Sequence, residues 1–302
     1  MADRPPRQTV PVDDGGRRSA RRVPSTGALL IVVPLVFVAA VFVYPLAQMV
    51  WLSFTDFRGG GPTGFWDNYA WFLGNGTQVG ILRRTFGVAA LVTVACLALG
   101  FPYAYLMTLV SPRTRLVMIA FVLLPFWSNL VVRTFAWVVL LRDSGPVPSL
   151  LRSVGIDVSL LGTTAGVTIG AAQVLLPFLI LPLYAGLSGI DRRLLDAAQS
   201  LGARPSTAFA RIYLPLAVPG ILAGTSVVFI LTLGFYFTPA LLGSPGNSLV
   251  SQQIANQVSE LLAFGRGGAM AMVVLVATLV AMGLVALATR RYTRALGAGT
   301  PR

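Results

Sequence analysis

Apolar residues form six long runs along the chain, and each run contains one charged residue or none. A helix needs about 20 apolar residues to cross the roughly 30 Å of hydrocarbon in a bilayer, so each run is long enough for one membrane span. The runs predict spans at residues 27–53, 86–110, 116–141, 163–187, 216–242 and 269–289. The pattern therefore predicts an all-α, polytopic membrane protein with six transmembrane helices in one bundle.

The remaining segments are short and predict no second soluble domain. Residues 1–26 are rich in Pro, Arg and Gly and cannot bury enough apolar surface to fold, so we expect a disordered cytoplasmic tail. The membrane domain then covers residues 27–290, with a cytoplasmic loop at 188–215, and residues 291–302 form a second cytoplasmic tail.

The charges indicate how the chain is oriented. All 23 basic residues are arginine, and the 10 acidic residues leave a net charge of +13. Sixteen arginines lie in the two tails and in the loops after spans two and four, six lie in the other loops, and Arg133 lies inside the third run. Because positively charged loops stay in the cytoplasm, both termini are predicted to be cytoplasmic. The orientation in the membrane accounts for the positive net charge, so we do not expect a nucleic-acid partner.

Missing residue types exclude several kinds of chemistry. The chain has no lysine, no histidine and one cysteine, Cys96. It therefore cannot form the lysine-containing phosphate loop of a P-loop ATPase, a disulfide or an ordinary zinc site. The spans also contain no Asp or Glu, so a catalytic centre within the membrane is disfavoured. An ion-coupled secondary transporter remains the alternative from another class, although such transporters usually carry ionisable groups or inverted repeats inside the membrane.

The loop between spans four and five predicts a short exposed helix. Its apolar residues recur at helical spacing on one face: Leu194, Leu195, Ala198 and Leu201. Gly202 suits a left-handed helix end, Pro205 prevents continuation, and Ser206 is expected to cap a second helix. This pair of helices has too little core to be stable alone and needs a surface to pack on. The spacing is compatible with a protein partner and with an amphipathic helix lying on lipid.

A longer pattern connects this loop with a known family. Asp196-Ala197-Ala198 is followed after three residues by Gly202 and after nine more by Ile212-Tyr213-Leu214-Pro215. The segment resembles the cytoplasmic loop of binding-protein-dependent ABC importer permeases, with Asp196 in place of the family's glutamate. The resemblance implies that Ala197, Ala198 and Gly202 pack closely in a groove of an ATPase and that Asp196 makes a polar contact at its rim. Ile212, Leu214 and Pro215 complete this coupling loop.

Two further segments narrow the resemblance. Residues 124–137 read LPFWSNLVVRTFAW, and residues 237–243 read FTPALLG, with Ser244 where the family has a second glycine. Both are similar to segments of spermidine/putrescine-type permeases. Related permeases for ferric iron, thiamine, phosphonates and opines share parts of them, so these substrates remain alternatives to a polyamine.

The resemblance also implies the composition of the complex. This chain would pair with a second, related permease in the bacterial inner membrane. Two ABC ATPase subunits would bind ATP and magnesium, and an extracytoplasmic solute-binding protein would deliver the cargo. This chain itself would bind no cofactor or metal and catalyse no reaction.

Arg133 and several aromatic residues are candidates for the pathway or its outer mouth. A charge within a span is a functional candidate, but Arg133 lies near the outer end of its run, where it can also snorkel or hold a loop. Aromatic faces can attract a cation, although they also belong to ordinary interfacial belts. The aromatic candidates are Phe126, Trp127, Trp137, Phe235 and Tyr236.

Overall fold

A computed structural model describes residues 26–56 and 64–297. Within these residues the chain forms helices and turns and no strand, which confirms the all-α class. Two compact units are distinguished, one ending at Gln48 and the other beginning at Met49. The helices are α1 (Thr26–Thr55), α2 (Asp67–Gly74), α3 (Gly76–Leu109), α4 (Pro112–Leu123), α5 (Leu130–Leu141), α6 (Pro146–Ser153), α7 (Thr164–Ser188), α8 (Arg193–Ser200), α9 (Pro205–Ala208), α10 (Leu214–Leu233), α11 (Phe237–Leu242), α12 (Val250–Ala255) and α13 (Phe264–Gly297).

Five helical segments of the described chain are long and apolar enough to cross a membrane, or six when one bent pair counts as a single span. They overlap the predicted spans one, two, four, five and six. The five segments are Leu30–Thr55, Gly76–Leu109, Thr164–Ser188, Pro205–Leu233 and Phe264–Leu287.

The predicted third span, 116–141, is not one continuous helix. A 3₁₀ turn, Leu124–Trp127, ends α4, and the chain then bends by 92° before α5. The bend arises because Ser128 and Asn129 both adopt extended backbone conformations. Asn129 starts the new helix, since its Oδ1 accepts a hydrogen bond of 2.8 Å from the amide of Val131.

The predicted fifth span, 216–242, also ends earlier than expected. Helix α10 stops at Leu233, and α11 is a separate short helix. Between them the amide of Phe235 bonds back to the carbonyl of Thr232 at 3.1 Å, which closes a turn instead of continuing the helix. The apolar run alone does not reveal this turn because residues 234–236 are few and uncharged, so they do not interrupt the run.

Small residues allow α3, α7 and α10 to pack together as the centre of the second unit. A Cβ added to Gly186 of α7 would lie 2.6 Å from the Cα of Gly220 in α10, so the two backbones touch. A Cβ on Gly224 would lie 2.8 Å from the carbonyl oxygen of Leu179, which is fully buried. Close backbone approach through small residues is a common way for helices to associate inside a membrane.

Candidate functional site

Helix α8 is the short helix predicted in the loop after span four. The Oδ1 of Asp191 accepts a hydrogen bond of 2.9 Å from the amide of Arg193 at its start. At its end, Gly202 has a φ of +89°, and the amide of Ala203 bonds to the carbonyl of Ala198 at 3.0 Å. The helix and its left-handed glycine are therefore present as predicted.

The apolar residues of α8 and its C-terminal cap residue, Leu201, divide between two sides. Leu195 and Ala198 are half-buried, and Leu195 packs against the core. Leu194 is 47% exposed and Leu201 is 89% exposed. The single apolar face expected from the spacing is thus split, with one side holding the helix on the protein and the other left uncovered.

The residues of the family pattern are accessible in the described part of the chain. Asp196 and Ala197 are exposed, and the Asp196 carboxylate has no hydrogen bond or ion pair with any described residue. A Cβ added to Gly202 would meet no atom within 4 Å. The close packing that the resemblance implies at Gly202 is therefore not made with the described part of this chain.

The second helix of the loop starts differently from the prediction. Helix α9 begins at Pro205, with Arg204 as its cap residue, and Ser206 lies inside the helix, so the predicted Ser206 cap is wrong. Proline is favoured at the first helical position because it lacks an amide hydrogen that would be unpaired there. The helix then continues through a π-helical turn, Phe209–Tyr213, into α10.

Contacts with the end of α3 hold this coupling loop in place. Arg192 donates through Nη2 to the carbonyl and hydroxyl oxygens of Thr108, at 2.8 and 2.9 Å. Tyr105, Phe209 and Tyr213 form an aromatic cluster with ring centroids 5.2 to 5.5 Å apart. Of the remaining pattern residues, Ile212 and Pro215 are half-buried and Leu214 is 40% exposed. The residues on both sides of α8 are therefore tied to α3, and the π-helical turn connects them to α10.

The two segments that resemble polyamine permeases pack against each other. Helix α5 contacts α11, and the buried hydroxyl groups of Thr134 and Thr238 lie 3.4 Å apart. Both helices also contact α7, where a Cβ on Gly170 would clash with Leu242. The segments are separate in sequence, and the fold joins them.

The structure does not bring the six candidate pathway residues into one cluster. Arg133 donates a hydrogen bond of 2.8 Å through Nη1 to the carbonyl of Pro125, and this bond connects the two sides of the bend between α4 and α5. Its Nε is buried without a partner. Phe126 packs edge-on against Phe178 with centroids 5.3 Å apart, whereas Trp127 is 94% exposed.

The other three candidates lie along α5 and at the turn before α11. Trp137 donates through Nε1 to the Oε1 of Gln173 in α7 at 3.3 Å. The carbonyl of Phe235 accepts a hydrogen bond of 3.0 Å from the hydroxyl of Ser251. Tyr236 is 47% exposed and lines a cavity of about 360 Å³.

This cavity, which we call the α11–α12 cavity, also involves a residue that the sequence analysis did not select. It lies between α11 and the segment formed by α12 and a π-helical turn, Asn256–Glu260, and Glu260 lines it. The sequence pattern that could have pointed to Glu260 is the four-residue spacing of Gln252, Asn256 and Glu260, which places these residues on one face of a helix. The spacing is informative only once α12 is known to be helical.

Comparison with known proteins identifies the family. Residues 114–294 match the family model described as "Binding-protein-dependent transport system inner membrane component". The chain is 34% identical over 205 residues to the Spermidine/putrescine transport system permease protein PotB of Haemophilus influenzae, covering 66% of this chain and 72% of that protein. It is 30% identical over 233 residues to PotB of Escherichia coli, covering 76% and 83%.

A solved structure supports the fold. The "Crystal structure of bacterial alginate ABC transporter in complex with alginate pentasaccharide-bound periplasmic protein" contains a chain that aligns with a TM-score of 0.68 at 19% identity, covering 88% of this chain and 94% of that chain. At this identity the similarity shows a common fold. The chain belongs to the inner membrane components of binding-protein-dependent transport systems, and it is a multi-pass permease subunit of an ABC importer.

Proposed function

We propose that this permease carries a polyamine of the spermidine/putrescine class into the cell. The relatives named as spermidine/putrescine permeases, at 34% and 30% identity over most of the chain, carry this proposal. The contact between Thr134 and Thr238 supports it, because it joins the two segments that resemble those permeases. A second, related permease subunit completes the pathway, and a solute-binding protein outside the membrane delivers the cargo.

Helix α8 is the proposed contact with an ATPase subunit. Its free carboxylate at Asp196, exposed Leu194 and Leu201, and uncovered Gly202 together offer a compact surface with nothing packed on it in the described part of the chain. ATP and magnesium bind to two separate ATPase subunits. Closure of these subunits moves α8, and its ties to Thr108 and to the aromatic cluster carry the movement to α3 and α10.

This arrangement requires α8 to face the cytoplasm. The arginine distribution supports that orientation, with both termini and the coupling loop inside the cell. The loops after spans one, three and five then face the binding protein.

Uptake of labelled substrate tests the proposed cargo. Cells that lack this chain and all other polyamine carriers are complemented with the wild-type gene or an empty vector. We expect the wild-type chain to restore ATP-dependent uptake of labelled spermidine or putrescine, because both relatives are named for these cations. Ferric iron, thiamine, a phosphonate and an opine serve as competing substrates in the same cells.

Restored uptake of one of the competing substrates, without polyamine uptake, would overturn the polyamine assignment and leave the importer permease intact. Polyamine uptake that persists when the ATPase subunits are deleted would instead favour an ion-coupled secondary transporter.

A further inference from the structure

The α11–α12 cavity combines an uncompensated negative charge with an aromatic face. Tyr236 lies on one side, at the start of α11, and Gln252, Asn256 and Glu260 lie on the other. No arginine lines the cavity, and the carboxylate of Glu260 has no ion pair or hydrogen bond within residues 26–56 and 64–297. The surroundings therefore favour a cation.

The nearest arginine along the chain is already engaged elsewhere. Arg266 lies over the ring of Trp71, with its guanidinium carbon 4.8 Å from the ring centroid. Arg266 is only six residues from Glu260 in the sequence, but it does not serve as the counter-ion of Glu260.

Hydrogen bonds fix the amide-bearing wall of the cavity. The Oε1 of Gln252 accepts from the amide of Leu249 at 2.6 Å, which holds the start of α12. The Nε2 of Gln253 donates to the hydroxyl of Ser248 at 3.1 Å, and its Oε1 has no partner among the described residues. A primary ammonium group has three N–H donors, and Glu260, Asn256 and Gln253 offer oxygen acceptors for them.

The local backbone sets these acceptors on one side of the helix. The segment from Asn256 to Glu260 is a π-helical turn, and such turns occur frequently at functional sites. Leu262 follows it with a φ of +50°, which is uncommon for a residue other than glycine. Glu260 is the last residue of the π-helical turn, and it is exposed and lines the cavity.

We propose that the α11–α12 cavity receives one ammonium group of the polyamine, with Glu260 as its counter-ion and the ring of Tyr236 as its aromatic partner. The inference depends on the proposed cargo and deepens it by naming where this chain first contacts the cation. Ala240 and Pro245 also line the cavity and offer apolar surface to the adjacent methylene groups. Because the cavity lies between spans five and six, the arginine distribution puts it on the side of the binding protein.

The test measures spermidine accumulation per ATP hydrolysed by the complete complex in proteoliposomes, with saturating spermidine-loaded binding protein. We expect Glu260→Gln to lower this ratio about tenfold and Glu260→Asp to retain part of it. Tyr236→Ala should lower it about two- to fivefold, the range expected for a cation–π contact at an exposed site, and Tyr236→Phe should not. Asp157→Asn, which removes an exposed carboxylate outside this cavity, is the matched control and should behave as wild type.

A parallel pull-down measures the affinity of the binding protein for each variant complex. An unchanged affinity together with the lower ratio supports a cargo site. If Glu260→Gln weakens docking in proportion to transport, the carboxylate contacts the binding protein and the proposal is overturned. The proposal is also overturned if the wild-type complex and the Glu260→Gln complex accumulate spermidine at the same ratio to ATP hydrolysed. If the wild-type complex does not accumulate spermidine at all, the polyamine assignment itself is refuted.

Discussion

Gly202 has a backbone conformation that favours glycine, but the space around it is open to a side chain. Its φ of +89° lies in the left-handed region, where most L-residues cost about 1–2 kcal/mol and Asn and Asp are tolerated best. A Cβ at this position would nevertheless meet no atom within 4 Å in the described part of the chain. Asparagine can therefore add a side chain here with the least change to the loop itself.

We expect Gly202→Asn and Gly202→Asp to fold and assemble in the membrane but to lower uptake at least about tenfold, the factor that corresponds to about 1.4 kcal/mol. The reason is that either side chain would occupy the space that the ATPase groove needs. Binding-protein-stimulated ATPase activity and uptake are measured side by side, with thermal unfolding as the folding control. Wild-type coupling in both variants would show that this glycine does not sit in a groove.

The residues of α8 also show the limit of periodicity. Spacing grouped Leu194, Leu195, Ala198 and Leu201, but the fold buries only part of that group. Helical spacing can name the candidates for contact, but it cannot say which of them the rest of the chain covers, because that depends on where the helix is packed.

At the scale of helices, the bend between α4 and α5 depends on a few hydrogen bonds. The carbonyl of Pro125 accepts from the Nη1 of Arg133 and from the hydroxyl of Ser128, both at 2.8 Å. Asn129 caps the following helix. Arg133 thus acts on the bend itself, the structural contact that the sequence analysis kept as an alternative to a place at the outer mouth.

Replacing Arg133 with methionine should destabilise the chain because the carbonyl of half-buried Pro125 loses its charged donor and keeps only the donors of Ser128. Hydrogen bonds to charged groups contribute about 1.5–3 kcal/mol, so we expect the free energy of unfolding to fall by about that amount. Thermal unfolding of the purified chain in detergent measures the change. Arg113→Met is the control, because Arg113 is exposed at the start of α4 and makes no side-chain hydrogen bond with a described residue. Equal loss in the two variants would contradict the role of Arg133.

At the scale of the whole molecule, the orientation in the membrane can be measured with cysteine labelling. The chain has one cysteine, Cys96, which is fully buried, so the native protein should not react with a membrane-impermeant maleimide. Leu201 and Leu150 are 89% and 70% exposed and lie in loops predicted on opposite sides. In cells that lack the ATPase subunits, Leu150→Cys should be labelled from outside and Leu201→Cys only after permeabilisation. The reverse result would invert the proposed topology.

The sequence alone determined the all-α membrane class, the family and the short helix that ends at Gly202 in the loop after span four. Each of these depends on local properties: apolar runs long enough to span a bilayer, and a glycine and a proline placed where the α8 helix must stop. Such features can be recognised in the sequence because the residues that produce them are close together along the chain. The permease loop pattern was recognisable for the same reason, since its residues occur in one continuous segment.

Only the tertiary structure decided where the apolar runs break and which residues meet. The bend at Ser128 and the turn at Phe235 lie inside the apolar runs 116–141 and 216–242, and the length of a run does not show where the helix within it stops. Thr134 lies beside Thr238 because α5 and α11 pack together, and Tyr236 and Glu260 line the same cavity. Contacts of this kind join residues far apart in the chain, and their geometry depends on the packing of all the helices between them.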